Sequence, residues 1–250
     1  DEKKSRMINI MLGRFRRPNS QIAQQIKSLD EELTEEECQS LKTNFPTVEE
    51  IQSVESYDGD KSLLGKAEQF VLAVGSVKLA VQHVNFLLLR KTFDSQMEDV
   101  ENPINYYLSS LKAVRESPNL KQLLAILLRI GNIVNGGTNR GGCYGFKLDF
   151  LEKVKDTKTV QPQYNLTNFI AEFYPVDNLV NDLSGLKMAI ATDIDTAKKT
   201  FNQIKGTFTS LKNVMPQADN LVTEGYTLAS QFKKFEMTNK DKLEGCPKKF

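Results

Sequence analysis

Gly131-Asn132-Ile133-Val134-Asn135-Gly136-Gly137-Thr138-Asn139-Arg140-Gly141-Gly142-Cys143-Tyr144-Gly145-Phe146-Lys147-Leu148 is the stretch on which the reading of this chain turns. Six of the fourteen glycines fall between positions 131 and 145. An apolar helical run over residues 120–130 leads into it, and a second apolar run over residues 146–154 follows. Glycine at this density lets the backbone take positive φ and lets another chain approach closely. Asn132, Asn135, Asn139 and Arg140 add donors and acceptors for a partner's backbone. A loop of this kind between two helices predicts a recognition surface.

Outward from the loop, only helical patterns appear. Upstream, Leu123, Leu124, Ile126, Leu127, Ile130 and Ile133 predict a buried helix over residues 120–134. Pro103 is expected to open the helix before it, along Ile104, Tyr107, Leu108 and Leu111, and Ser117-Pro118 to end that helix or start the next. Residues 61–93 read as one long helix with apolar residues on more than one face and a weak point at Gly75. The first sixty residues read as several short helices. Thr34 with Glu37 and Thr47 with Glu50 form two capping boxes. Ile22, Ile26 and Leu29 make one inward stripe, and Ile8, Met11, Leu12 and Phe15 make another. Ile10 falls off the second stripe, as a further core contact or as an exposed apolar residue.

Downstream, Leu166, Phe169, Ile170 and Phe173 form a helical stripe before Pro175. Leu179, Leu183, Leu186, Ile190, Ile194, Ala197, Phe201, Ile204, Phe208 and Leu211 then recur at spacings of three and four. This coiled-coil-like period predicts a rod roughly 55 Å long. Pro216 should break it, and Leu221, Leu228, Phe232 and Phe235 predict an antiparallel return helix. No hairpin pattern is present, so the expected class is all-α.

Composition removes several functions. The net charge of +1 leaves no whole-chain case for nucleic acid or an anionic membrane. No apolar run reaches membrane-spanning length. Cys38, Cys143 and Cys246 match neither a metal site nor a disulfide framework, which points to a reducing compartment. Residues 136–141 have the first spacing of a phosphate loop, but Gly142 and Cys143 stand where Lys and Ser or Thr would be needed. The only histidine, His83, lies far in sequence from Cys143, so no nucleophile–base pair is visible. Asp193 and Asp195 read as a solvated face. No catalytic residue, metal site or cofactor is expected. Lys153, Lys155 and Lys158, interleaved with Glu152 and Asp156, read either as a solvated helix end or as a contact for an acidic protein surface. The absence of a Met at position 1 and the ending Cys246-Pro247-Lys248-Lys249-Phe250 read as the cut ends of a longer polypeptide.

The loop continues into Leu151-Glu152-Lys153-Val154-Lys155-Asp156-Thr157-Lys158. Together with Gly131-Asn132-Ile133-Val134-Asn135-Gly136-Gly137, Arg140-Gly141 and Gly145-Phe146-Lys147-Leu148, it resembles the signature of the formin homology two domain. Asn9-Ile10-Met11-Leu12-Gly13-Arg14-Phe15 resembles that family's knob helix. Ile133 and Val134 depart from it, since aromatic and Met residues are common there. The resemblance implies one partial domain spanning residues 1–250 and an elongated arrangement. Residues 1–60 would form a knob lobe, 61–97 and 176–236 the long helices of an antiparallel coiled-coil or three-helix rod, and 100–175 a post lobe with the glycine-rich loop.

The resemblance also implies a non-enzymatic actin-binding module. In the parent protein it would nucleate filaments and cap and elongate their barbed ends processively, as a head-to-tail homodimer. Ile10 matches the knob isoleucine that enters an apolar cleft on actin. Lys158, with Lys155 and Lys153, matches the post lysines facing a neighbouring subunit. Gly131, Asn132, Asn135, Gly136, Arg140, Gly141, Gly145 and Phe146 match the post surface that accepts the N-terminal lasso of a second copy. The lasso, the completing C-terminal helix, the profilin-binding segment and the region for a Rho-type GTPase are expected outside this chain, and the location is expected to be cytoplasmic, on the actin cytoskeleton. The alternative is a formin-shaped scaffold that binds another cytoskeletal or signalling partner, such as microtubules or a GTPase, without assembling actin.

Overall fold

Capping residues and apolar spacing set most helix boundaries at the start of the chain. The structure, a computed structural model, describes residues 2–161, 163–174 and 176–246. Pro175, and the ending after Cys246 that read as a cut, lie outside the described residues. Among those described, the chain is all-α and has no β-strand. The helices are α1 (Glu2–Phe15), α2 (Asn19–Ser28), α3 (Glu35–Asn44), α4 (Val48–Glu55), α5 (Lys66–Gly75), α6 (Ala80–Glu116) and α7 (Pro118–Val134). They continue as α8 (Phe150–Val154), α9 (Leu166–Phe173), α10 (Val176–Asp182), α11 (Leu186–Ile190), α12 (Ile194–Asp219) and α13 (Leu228–Gly245). The chain divides into two compact units, one of residues up to 101 and from 195 onward, the other of residues 102–194.

In the first unit both expected capping boxes form. The side chains of Thr34 and Thr47 accept from the amides of Glu37 and Glu50, whose carboxylates accept in return. Of the stripe Ile8, Met11, Leu12 and Phe15, all but the half-buried Leu12 are buried, and α1 packs on α3 and α5. Arg90 of α6 ties the short helices to the long ones. Its guanidinium donates to the Leu29 carbonyl at 3.0 Å and to Gln231 Oε1 at 2.6 Å, and it pairs with Glu31.

The long helices α6, α12 and α13 form a bundle within this unit. The Phe86 and Phe93 rings meet Phe232 and Phe235 edge-on, so α6 and α13 run in the same direction. The ion pairs Lys212–Glu236 and Lys233–Asp219 show that α13 returns antiparallel to α12, as the sequence predicts.

Four expected boundaries are corrected. Residues 61–93 are not one helix, because α5 and α6 meet at a bend of 89°. Leu79 takes the left-handed conformation there (φ 55°), and the Lys78 amide donates to Tyr226 Oη at 3.0 Å. Gly75 is required just before the bend, since a Cβ would come within 2.7 Å of Ile51 Cγ2. Pro103 does not open a helix but lies inside α6. Met97, Val100 and Ile104 stay buried in helical register across it, and that packing offsets the lost backbone hydrogen bond.

The periodic run from Leu179 is also not continuous. It is divided among α10, α11 and α12: Leu179 packs on the core of the second unit, Ile190 is 81% exposed, and from Ala197 onward the stripe belongs to the first unit's core. Pro216, expected to end the rod, sits within α12, with Met215 and Ala218 buried on either side. No single helix among the described residues is long and apolar enough to cross a membrane.

His83 lies buried in α6, edge-on to the Tyr226 ring. Its Nδ1 is 2.9 Å from the Leu79 carbonyl oxygen, which can only accept, so Nδ1 carries the proton, while Nε2 is buried without a partner. Burial holds its pKa below the ordinary value of 6.5. The unfolded chain therefore binds a proton that the folded chain refuses. The stability contributed by neutral His83 is complete above pH 6.5 and is lost as the pH falls below it. Unfolding free energies from urea titrations at pH 7.5 down to 5.5 should fall with a slope of at most about 1.4 kcal/mol per pH unit from this group. The slope, whatever the starting level, should flatten in His83→Gln.

In the second unit, Leu127, Val154, Ile170 and Tyr174 form the core, joined by Ile130, Phe146, Phe150 and Leu179. Ser117 caps α7 and so both closes one helix and opens the next. Asp182 accepts from Ser117 Oγ at 2.5 Å and from Asn119 Nδ2 at 2.9 Å, which holds its carboxyl below the usual carboxylate range. The expectation that α7 is a buried helix is corrected. Only Leu127 is fully enclosed, and Ile133 and Val134 are 72% and 76% exposed, because α8, α9 and α10 leave one face of α7 open.

Candidate functional site

Two features combine apolar exposure with the residues singled out from sequence, one in each unit. In the first, Ile10 is 51% exposed on α1, although Ile8 and Met11 beside it are buried. It rises from a shallow depression lined by Ser5, Arg6, Asn9 and Glu68, with Ser5 Oγ donating to Glu68 Oε1 at 3.2 Å. The second-core-contact reading of Ile10 does not hold. A helix that buries one stripe has no partner for an apolar side chain outside that stripe.

In the second unit, α7 delivers the glycine-rich loop. Asn132 bridges it twice. Its Nδ2 donates to the Cys143 carbonyl, and its Oδ1 accepts from the Cys143 amide, both at 2.8 Å. Asn135 Nδ2 donates to the Gly131 carbonyl at 2.8 Å, and the Asn135 carbonyl accepts from Thr138 Oγ1 at 2.8 Å. Asn132 and Asn135 therefore also shape the loop from within. The side chains of Asn139 and Arg140 remain exposed. Phe146 packs into the core of the unit, edge-on to Phe150.

The glycines differ in what they do. Gly137 and Gly142 take the left-handed backbone (φ 78° and 70°), which the sequence did not single out among six glycines. At Gly141 a Cβ would lie 2.6 Å from the Asn135 carbonyl oxygen, whereas Gly131 and Gly145 face open space. Gly141→Ala is therefore expected to displace the Asn135 turn at a cost of about 1–3 kcal/mol, and Gly131→Ala to be neutral or slightly stabilising. Chemical denaturation of the two variants side by side checks the contrast. Beside the loop, Ala125, Leu128, Arg129 and Ile133 line a shallow hollow on the open face of α7.

Lys153, Lys155 and Lys158 are exposed, and none is in an ion pair among the described residues. Their segment is held by Asn165, which sequence reading missed. Asn165 caps α9 by accepting from the Asn168 amide at 2.9 Å, donates to the Lys155 carbonyl at 3.0 Å, and forms an isolated antiparallel bridge with Lys158. The available signal was its spacing to Asn168, an Asn version of the capping box. Among the described residues, no group of three or more His, Cys, Asp or Glu could hold a metal ion. Cys143 is exposed, while burial raises the Cys38 thiol to about 11.

The fold and these surfaces define a helical module with an exposed apolar tooth in one unit, and a glycine-shaped turn and exposed lysines in the other. The Formin Homology 2 Domain family model matches residues 1–248, and the chain belongs to that family. Formin-F of Dictyostelium discoideum is 30% identical over 235 residues, covering 90% of this chain and 19% of that protein. Human protein diaphanous homolog 3 is 28% identical over 241 residues, 93% of this chain and 20% of the relative. Formin-like protein 14 of Arabidopsis thaliana is 30% identical over 202 residues, 78% of this chain and 16% of the relative. The chain thus spans a fifth or less of these relatives.

Proposed function

We propose that this chain is the actin-binding part of a formin-type actin-assembly factor, which nucleates filaments and holds their growing barbed ends as a head-to-tail dimer. The observation that carries the reading is the half-exposed Ile10 on a helix whose neighbouring apolar residues are buried. Ile10 enters an apolar cleft of one actin subunit, and Lys158, with Lys155 and Lys153, meets the acidic surface of the next. The Asn132-clamped loop and the open face of α7 receive a segment of the second copy. Residues 1–60 then act as the knob lobe and 100–175 as the post lobe. Profilin and a Rho-type GTPase act through other parts of the parent protein, on the cytoplasmic actin cytoskeleton.

The test is pyrene-actin assembly with a longer stretch of the parent polypeptide that carries the dimerising segment. The wild type should accelerate assembly and slow elongation from barbed ends, and Lys158→Asp should weaken both effects while keeping the wild-type melting profile. Complete indifference of actin to micromolar wild-type protein would favour the formin-shaped scaffold acting on another partner.

A further inference from the structure

We infer that the surface presenting Ile10 continues along α1 into a second contact, a basic groove that takes an acidic segment of the same actin subunit. The inference rests on the actin reading above and assigns residues that reading does not use. The groove runs between α1 and α5 past the turn into α2, and no Asp or Glu lines it. Asn9 borders both this groove and the depression at Ile10, so the two surfaces are continuous. Its cations are Arg16, Arg17 and Lys66. Glu37 pairs with Arg17, whereas Arg16 and Lys66 are exposed and have no ion pair among the described residues.

Three groove residues go against their local preference. Gly13 lies inside α1, where glycine disfavours the helix. Its φ is not positive and a Cβ would meet nothing within 4 Å, so the fold does not require glycine there. Arg16 takes a left-handed backbone (φ 52°), a conformation favoured by glycine. Lys66 is the first residue of α5, where the helix dipole disfavours a cation. Stabilisation of the α1 C-terminus would account for Arg14 and Arg16 but not for Lys66 or Gly13. Departures of this kind collect at functional sites. Here they give one groove a bare backbone on its wall and uncompensated positive charge at its edges. No aromatic side chain lines the groove, as base stacking would require, so its chemistry fits an acidic peptide segment rather than nucleic acid.

The double reversal Arg16→Glu with Lys66→Glu, made in the same longer polypeptide, tests this in barbed-end binding at low and at raised salt. The expected loss is about tenfold at low salt and shrinks markedly as salt screens the contact. Gly13→Leu is expected to keep or raise the melting midpoint while also weakening binding. Wild-type affinity at low salt in the double reversal, with Ile10→Ala weakened, would overturn the groove contact and leave the actin reading standing. Wild-type affinity in all three variants would overturn both.

Discussion

Ile10→Ala should weaken barbed-end binding about 30-fold and leave the chain folded. Burying an isoleucine-sized side chain contributes about 2 kcal/mol, and each 1.4 kcal/mol is a factor of ten in affinity. The folded chain has little to lose, because Ile10 is 51% exposed and lies off the buried stripe. Alanine is also the better helix former. The measurement is barbed-end affinity from seeded elongation, with circular dichroism melts of both proteins. Equal affinity in a variant with an unchanged melt would remove Ile10 from the actin contact.

Phe232→Ala should act in the opposite way, by removing stability. Phe232 is fully buried, with its ring centroid 5.8 Å from that of Phe86 and 5.0 Å from that of Phe208. Emptying such a site costs about 3–5 kcal/mol, against total domain stabilities of about 5–15 kcal/mol. The loss should appear as a lower urea midpoint for the unit that holds the bundle, while Met237→Ala on the same helix, 80% exposed, should be close to neutral. A loss below about 1 kcal/mol for Phe232→Ala would contradict the packing of α13 on α6 and α12. The pair of variants separates two ways of losing actin binding, since Phe232→Ala removes the frame and Ile10→Ala only the tooth.

Much of this was legible in the chain itself. The capping boxes at Thr34 and Thr47 are local, three residues from donor to acceptor, and each forms where the spacing places it. The stripe Ile8, Met11, Leu12 and Phe15 is likewise a matter of helical period, and the same period set Ile10 apart. The glycine-rich stretch carried the family resemblance because its spacing is distinctive over many positions. Where reading failed, a distant neighbour decided. Pro103 and Pro216 normally interrupt helices, yet both sit inside one because buried side chains on either side hold the register. The heptad-like run from Leu179 looks continuous, but apolar period alone does not say whether a face is covered, and Ile190 is not. That Asn132 also bridges the loop to Cys143 became visible only once the fold brought the two within reach.

By itself, the order of residues determined the all-helical class, the capped starts of α3 and α4, the family and the oddity of Ile10, since each follows from interactions within about four residues or from a fixed motif. Only the tertiary structure decided the bend after Gly75, which of the loop glycines are obligatory, and the convergence of Gly13, Arg16 and Lys66 on one groove. Those outcomes depend on which atoms of α4, α5 and the α1–α2 turn come within a few ångströms of one another, and helical period carries no information about contacts between segments far apart in the chain.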